Sequence, residues 1–154
     1  MFYILVLLIG ITAGLRAVTP LAAVSIGAYL GWINLSATWA GFVGTLVAAI
    51  ILGILAIVEL VTDQLPNTPS RKVPQQFSAR VVTGLLAGLI VGLPSGNWIA
   101  GLVIGAIGAV IGTLGGAEAR KWLATAFGRD LPAALIEDVV TIVVAFWAVH
   151  SIAG

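Results

Sequence analysis

Ile50-Ile51-Leu52-Gly53-Ile54-Leu55-Ala56-Ile57-Val58-Glu59-Leu60-Val61-Thr62-Asp63-Gln64-Leu65-Pro66 is the stretch on which the reading of this chain turns. The twenty uncharged residues from Trp39 to Val58 end inside it, and two carboxylates four residues apart follow on one helical face. Twenty residues at a helical rise cover about 30 Å, the thickness of a bilayer's hydrocarbon core. Apolar sequence gives way to polar sequence at the spot where such a helix would leave the hydrocarbon. The pattern is that of a small integral membrane protein.

Composition supports the same class. Of 154 residues, 60% are hydrophobic and 8% are charged, against about 25% charged in soluble domains. One buried helix in a soluble core explains one apolar run. It does not explain uncharged runs at both 17–58 and 81–117. The 19 glycines suit membrane helices better than water-soluble ones. The chain has no cysteine, which excludes disulfides, thiolate metal sites and cysteine nucleophiles. A single histidine, His150, argues against a histidine metal centre, and no metal or cofactor is expected. A net charge of +1 without a basic patch gives nucleic-acid binding no support. The opening Met1-Phe2-Tyr3 lacks a basic n-region and reads as mature membrane sequence.

Taken in order, residues 2–15 are apolar, Arg16 interrupts them, and Pro20 follows. The span 2–31 is too long for one ordinary crossing, and Pro20 must kink or break it. Two arrangements fit: one long bent helix, or two half-helices with 20–32 packed inside the protein. Trp32 and Trp39 flank an uncharged turn and suggest an interfacial belt. A helix is expected over 39–62, then a proline-rich aqueous loop over 64–79 containing Arg71-Lys72. Residues 80–93 become long enough to span when the helix starts near Pro74. Pro94-Ser95-Gly96-Asn97 is a turn, and 98–117 is a second uncharged 20-mer, continuing as helix through Trp122. Gly128-Arg129-Asp130 breaks it; Asp130 is expected to cap a last helix over 133–150. The expected architecture is therefore all-α, a polytopic bundle of about five membrane-embedded helices in one domain. Basic loop residues fall at 71–72 and 120–129, and the positive-inside rule places those loops and, after five crossings, the N-terminus in the cytosol.

An internal echo runs through the chain. Arg16-Ala-Val-Thr-Pro-Leu recurs loosely as Arg80-Val-Val-Thr-Gly-Leu, and Trp39 precedes Glu59 by the same twenty residues that separate Trp98 from Glu118. Repeats over 14–63 and 78–122, parallel or inverted, would account for it; chance similarity among Leu, Val, Ala and Gly also would.

The charged landmarks resemble the DUF4126 family of bacterial membrane proteins. They are Gly14-Leu15-Arg16 followed by Pro20, Glu59-Leu-Val-Thr-Asp63-Gln-Leu-Pro66, Arg80 before a glycine-rich run, and Ile136-Glu137-Asp138-Val139-Val140. Gln64 stands where that family more often has Lys, and Val81 where it often has Pro. The resemblance implies a multi-pass protein of the bacterial inner membrane and brings no settled activity with it.

Arg16 lies deep in an apolar span, where a charge costs at least ~2.5 kcal/mol unless paired or lining a cavity. Its candidate partners are Glu59, Asp63, Glu118, Glu137 and Asp138, with Arg80 expected to stand similarly near Glu118 or Glu137. Together these seven form a candidate polar network for transport or for structure. Asp63, Arg120, Lys121 and Arg129 are equally well read as membrane-edge charges. Gly84-Gly88-Gly92, Gly101-Gly105 and Gly108-Gly112-Gly116 mark helix faces for close packing, within the chain or in a homo-oligomer. The functional expectation is a transporter or channel for an ion or small solute. A non-transporting scaffold or complex subunit is the alternative. No Asp-x-x-Asp, histidine cluster or Ser-His arrangement supports a third class, an intramembrane lipid-modifying enzyme, and no catalytic residue is assigned.

Overall fold

The computed structural model describes residues 1–154 as six α-helices and one 3-10 helix, with no strand. The helices are α1 Phe2–Leu15, α2 Thr19–Tyr29, α3 Leu46–Thr62, α4 Pro74–Gly92, α5 Trp98–Phe127 and α6 Asp130–Ala153, with the 3-10 helix at Trp39–Gly44 before α3. The first apolar segment is thus broken, not bent. Arg16 is extended (φ −141°, ψ 117°) and ends α1, and Pro20 sits in the first turn of α2, where its missing N–H costs nothing.

This break changes the expected path. Phe2, Trp32, Ile33, Pro94, Ser95 and Ile152 line one cavity of about 270 Å³, and Trp32 stacks edge-on against His150 at 4.8 Å. The N-terminus, both uncharged turns and the C-terminus therefore share one end of the bundle, here the turn end. Arg16, Asp63, Arg71, Arg120 and Asp138 gather at the other, the charged end. Segment 2–29 runs out and back as a helical hairpin, so the chain traverses the bundle six times and Met1 lies opposite the basic loops. Of the two arrangements open for 2–31, the structure has the two half-helices, and the five-crossing count, which gave this segment one passage, does not hold.

Two helices, α5 and α6, are long and apolar enough to cross a membrane by length and composition, not the five expected; α1 and α3 are apolar but shorter. At 14 and 11 residues, α1 and α2 reach only about 21 and 16 Å. The uncharged 20-mer from Trp39 does not make one helix either. Its first six residues form the 3-10 helix, and Thr45 restarts the chain as an N-cap whose hydroxyl accepts from the Ala48 N–H at 3.3 Å. Asp130 is the first residue of α6, and its carboxylate goes to Arg120 instead of capping.

Helices α1, α4 and α5 pack through bare backbone. A Cβ on Gly88 or Gly101 would strike the facing helix's carbonyl, as would one on Gly105 against Gly84. Gly108 and Gly112 do the same against Leu7 and Ile11 of α1, and Gly92 closes the α4–α5 turn with Asn97 O 2.7 Å from its Cβ position. Gly116 lies against the Leu15 and Arg71 side chains. The glycine faces mate inside the monomer. By contrast α3 packs mainly on α2 and leaves Ile50, Ile54, Leu55, Ile57, Val58 and Val61 exposed.

Candidate functional site

A broken helix creates a local electrostatic problem. The end of α1 leaves carbonyls without partners, and the start of α2 leaves N–H groups without partners. Side chains from three other helices solve it. Arg80 of α4 donates from Nη1 to Gly14 O at 3.0 Å and Leu15 O at 2.6 Å. Glu59 of α3 accepts from the Ala17 N–H at 2.5 Å and the Val18 N–H at 2.8 Å. Thr113 of α5 adds a long bond to Gly14 O at 3.4 Å. Cation at the C-terminal end and carboxylate at the N-terminal end is the arrangement that helix dipoles favour.

Arg16 occupies the break itself and is fully buried. Its Nε donates to Asp138 Oδ1 at 2.7 Å, and its Nη1 donates to Asp63 Oδ2 at 2.9 Å and to its neighbour's carbonyl, Leu15 O, at 3.1 Å. Its Nη2 pairs with Asp138 and lies 3.7 Å from Glu137 Oε2. One guanidinium thus joins the tip of the α1–α2 hairpin to the end of α3 and the third turn of α6. Asp63 is shared, since Arg80 Nη2 also reaches its Oδ2, at 3.4 Å. Gln64 completes Asp138 with a bond of 2.9 Å to Oδ2.

Glu137 belongs to a second layer. Arg71 grips it with two bonds, at 2.5 and 2.9 Å, and Arg120 approaches its Oε2 at 3.5 Å while holding Asp130 at 2.6 and 2.9 Å. Paired N–H donors matching a carboxylate are the strong form of this interaction. Residues 4–151, which contain every member of both layers, match the model of a family described as Domain of unknown function (DUF4126). The chain belongs to the DUF4126 family. Comparison with curated proteins and with solved structures found no match.

Of the seven network residues named from the sequence of this DUF4126 protein, six come together: Arg16, Glu59, Asp63, Arg80, Glu137 and Asp138. Glu59 does so without pairing to a guanidinium, because the backbone N–H groups of Ala17 and Val18 take both its oxygens. Glu118 does not join. It is exposed and pairs with Lys72 at 2.8 Å, since α5 turns that face away from the break. Arg80 therefore meets Asp63 and not Glu118. Arg71 and Gln64 were missed, and Arg120 was placed at the edge. The signal for Arg71 was weak, a cation in a proline-rich polar loop, yet the loop folds back so that Arg71 is only 9% exposed.

Beside the network, an open cavity of about 390 Å³ lies between the 63–71 loop, Arg80 and the charged part of α5, with Asp130 at its rim. Its wall is mostly polar. No three His, Asp or Glu side chains are grouped to hold a metal ion.

Proposed function

We propose that this protein is embedded in the bacterial inner membrane and moves an ion or small solute across it. The apolar faces that α3 and α6 leave exposed, including Ile54, Val58, Val143 and Trp147, match a hydrocarbon surround. With the basic loops in the cytosol, both termini face the other side, and α1 and α2 form a re-entrant hairpin whose tip lies at the charged end. Irregular backbone at such a depth must have its polar groups met by protein, and Glu59 and Arg80 meet those of the tip.

One observation carries the transport reading: fully buried Arg16 sits at a helix break with its carboxylate partners supplied by two other helices. Ionisable side chains held inside a membrane bundle at discontinuous helices mark solute and ion pathways in many transporters. Asp63 is the natural switch, because it answers both Arg16 and Arg80. Breaking the Asp63 contacts loosens two arginines at once and leaves Glu59 as the remaining tie between α3 and the hairpin tip. Purified protein in liposomes should therefore support flux of an ion or small solute. Asp63→Asn should lower that flux severalfold, and Lys72→Gln should leave it unchanged. Folded protein that moves nothing across a broad panel of ions and solutes would remove this reading.

A scaffold role is favoured by a different observation: nearly every charge in the two layers already has a partner, as struts would. Co-purification of one stoichiometric partner, together with absent flux, would support it. Neither reading assigns a catalytic step.

A further inference from the structure

The cavity at the charged end has an asymmetric wall. Arg71, Arg80, Arg120 and Lys121 line it, against the carboxylates of Asp63 and Asp130. The remaining acids of the network, Glu59, Glu137 and Asp138, do not line it; of these, Glu137 stands behind Arg71 and Arg120 and holds them. Arg71 and Arg120 are each fixed by two bonds to one carboxylate. A guanidinium has five N–H donors, so pairing does not exhaust them. The clearest case is Arg80. Its side chain is 97% buried, and its Nε has no hydrogen-bond partner, a state that costs free energy until something accepts from it. Lys121 forms no ion pair, and its ammonium keeps three donors. Thr68 and Ser70 add hydroxyls to the same wall.

We infer that this cavity binds a phosphate-type oxyanion, with Lys121, Arg80 and Arg120 as its direct partners. Fixed guanidinium forks suit tetrahedral oxyanions, and the wall's excess of cations over carboxylates repels a cation. A volume of about 390 Å³ exceeds that of inorganic phosphate alone, leaving room for an organic substituent. Two sources supply that chemistry, a soluble phosphorylated molecule and the headgroup of an anionic lipid, and the experiment separates them. The site's physiological role rests on the transport reading, which it deepens by naming the solute class; binding itself does not depend on flux.

The test uses the full chain purified in a neutral detergent, with inorganic phosphate titrated by calorimetry. In parallel, nanodiscs of phosphatidylglycerol are compared with nanodiscs of phosphatidylcholine for retained lipid. Lys121→Gln should weaken binding about tenfold, the loss expected for one charge-assisted bond. Asp130→Asn should tighten it, because it removes a carboxylate from the wall and releases Arg120. Arg129→Gln, one residue from Asp130 but outside the wall, should change nothing. Binding of free phosphate assigns a soluble ligand; selective retention of phosphatidylglycerol, sensitive to Lys121→Gln, assigns a headgroup. Absence of both, or weaker binding in Asp130→Asn, overturns the inference. Cation flux without anion binding would overturn it and spare the transport reading, whereas anion binding without flux would do the reverse.

Discussion

Helix α1 is held in two ways that share almost nothing. Along its length it meets α5 with no side chain between: Gly10 and Gly14 face the backbone of Gly105 and Ala109, and Gly108 and Gly112 face Leu7 and Ile11. At its C-terminal end it is held by charge, through Arg16 and through Arg80 on its last carbonyls. The first contact depends on the absence of atoms and gains close dispersion contact. The second depends on atoms that cannot be subtracted singly, because each charge there is buried against another. The two regions should therefore fail under opposite substitutions, addition in one and removal in the other.

The largest expected effect is Arg16→Leu. It takes from Asp138 its cation, leaving only Gln64 there, and leaves Asp63 with Arg80 alone at 3.4 Å, and should cost about 3–5 kcal/mol, read as unfolding free energy in a reversible detergent titration. Arg71→Leu should cost less, because Glu137 would keep Arg120 at 3.5 Å and Arg16 at 3.7 Å. Equal losses would show that the two layers form one unit. Next comes Gly105→Ala, which adds one carbon where Gly84 O already stands; overpacking of this kind costs about 1–3 kcal/mol, seen as a lowered thermal midpoint. Glu59→Ala removes the carboxylate that caps the start of α2 and should cost about 0.5–2 kcal/mol, with faster hydrogen exchange at Ala17 and Val18. The smallest change has the opposite sign. Gly53 in α3 has nothing within 4 Å of its Cβ position, so Gly53→Ala should stabilise by about 0.4–1 kcal/mol. If Gly105→Ala and Gly53→Ala behave alike, the backbone-contact account of α1, α4 and α5 is wrong.

Much of this was legible in the chain, for physical reasons that also mark where legibility stops. Arg16 stood out because an always-charged group inside an apolar run demands a partner, and Asp63 and Asp138 meet that demand. The break at 16–18 was foreshadowed by Pro20. Whether the chain bent or reversed there was not, because helices of 14 and 11 residues are too short for hydropathy to count separately. Glu118 misled because its spacing from Trp98 copied that of Glu59 from Trp39, while spacing says nothing about which way a helix is rotated in the bundle. Arg71 was hidden by its surroundings. A loop rich in Pro and Ser reads as solvated, and only tertiary structure shows it folding back onto Glu137.

The separation between Arg16 and its partners has a consequence for how the protein is made. Asp63 follows Arg16 by 47 residues, and Asp138 follows it by 122. At about 5–20 residues per second, the ribosome needs about 6–24 s to deliver the second carboxylate after the arginine. During that interval the hairpin tip holds a positive charge that no later helix has yet answered in full. Asp63 arrives first and is the provisional counterion, and α6, made after the other five helices, locks the tip. The tip is completed by the later of its two acidic partners, so a nascent chain stalled after α5 leaves the tip as the point where quality control would find it unfinished.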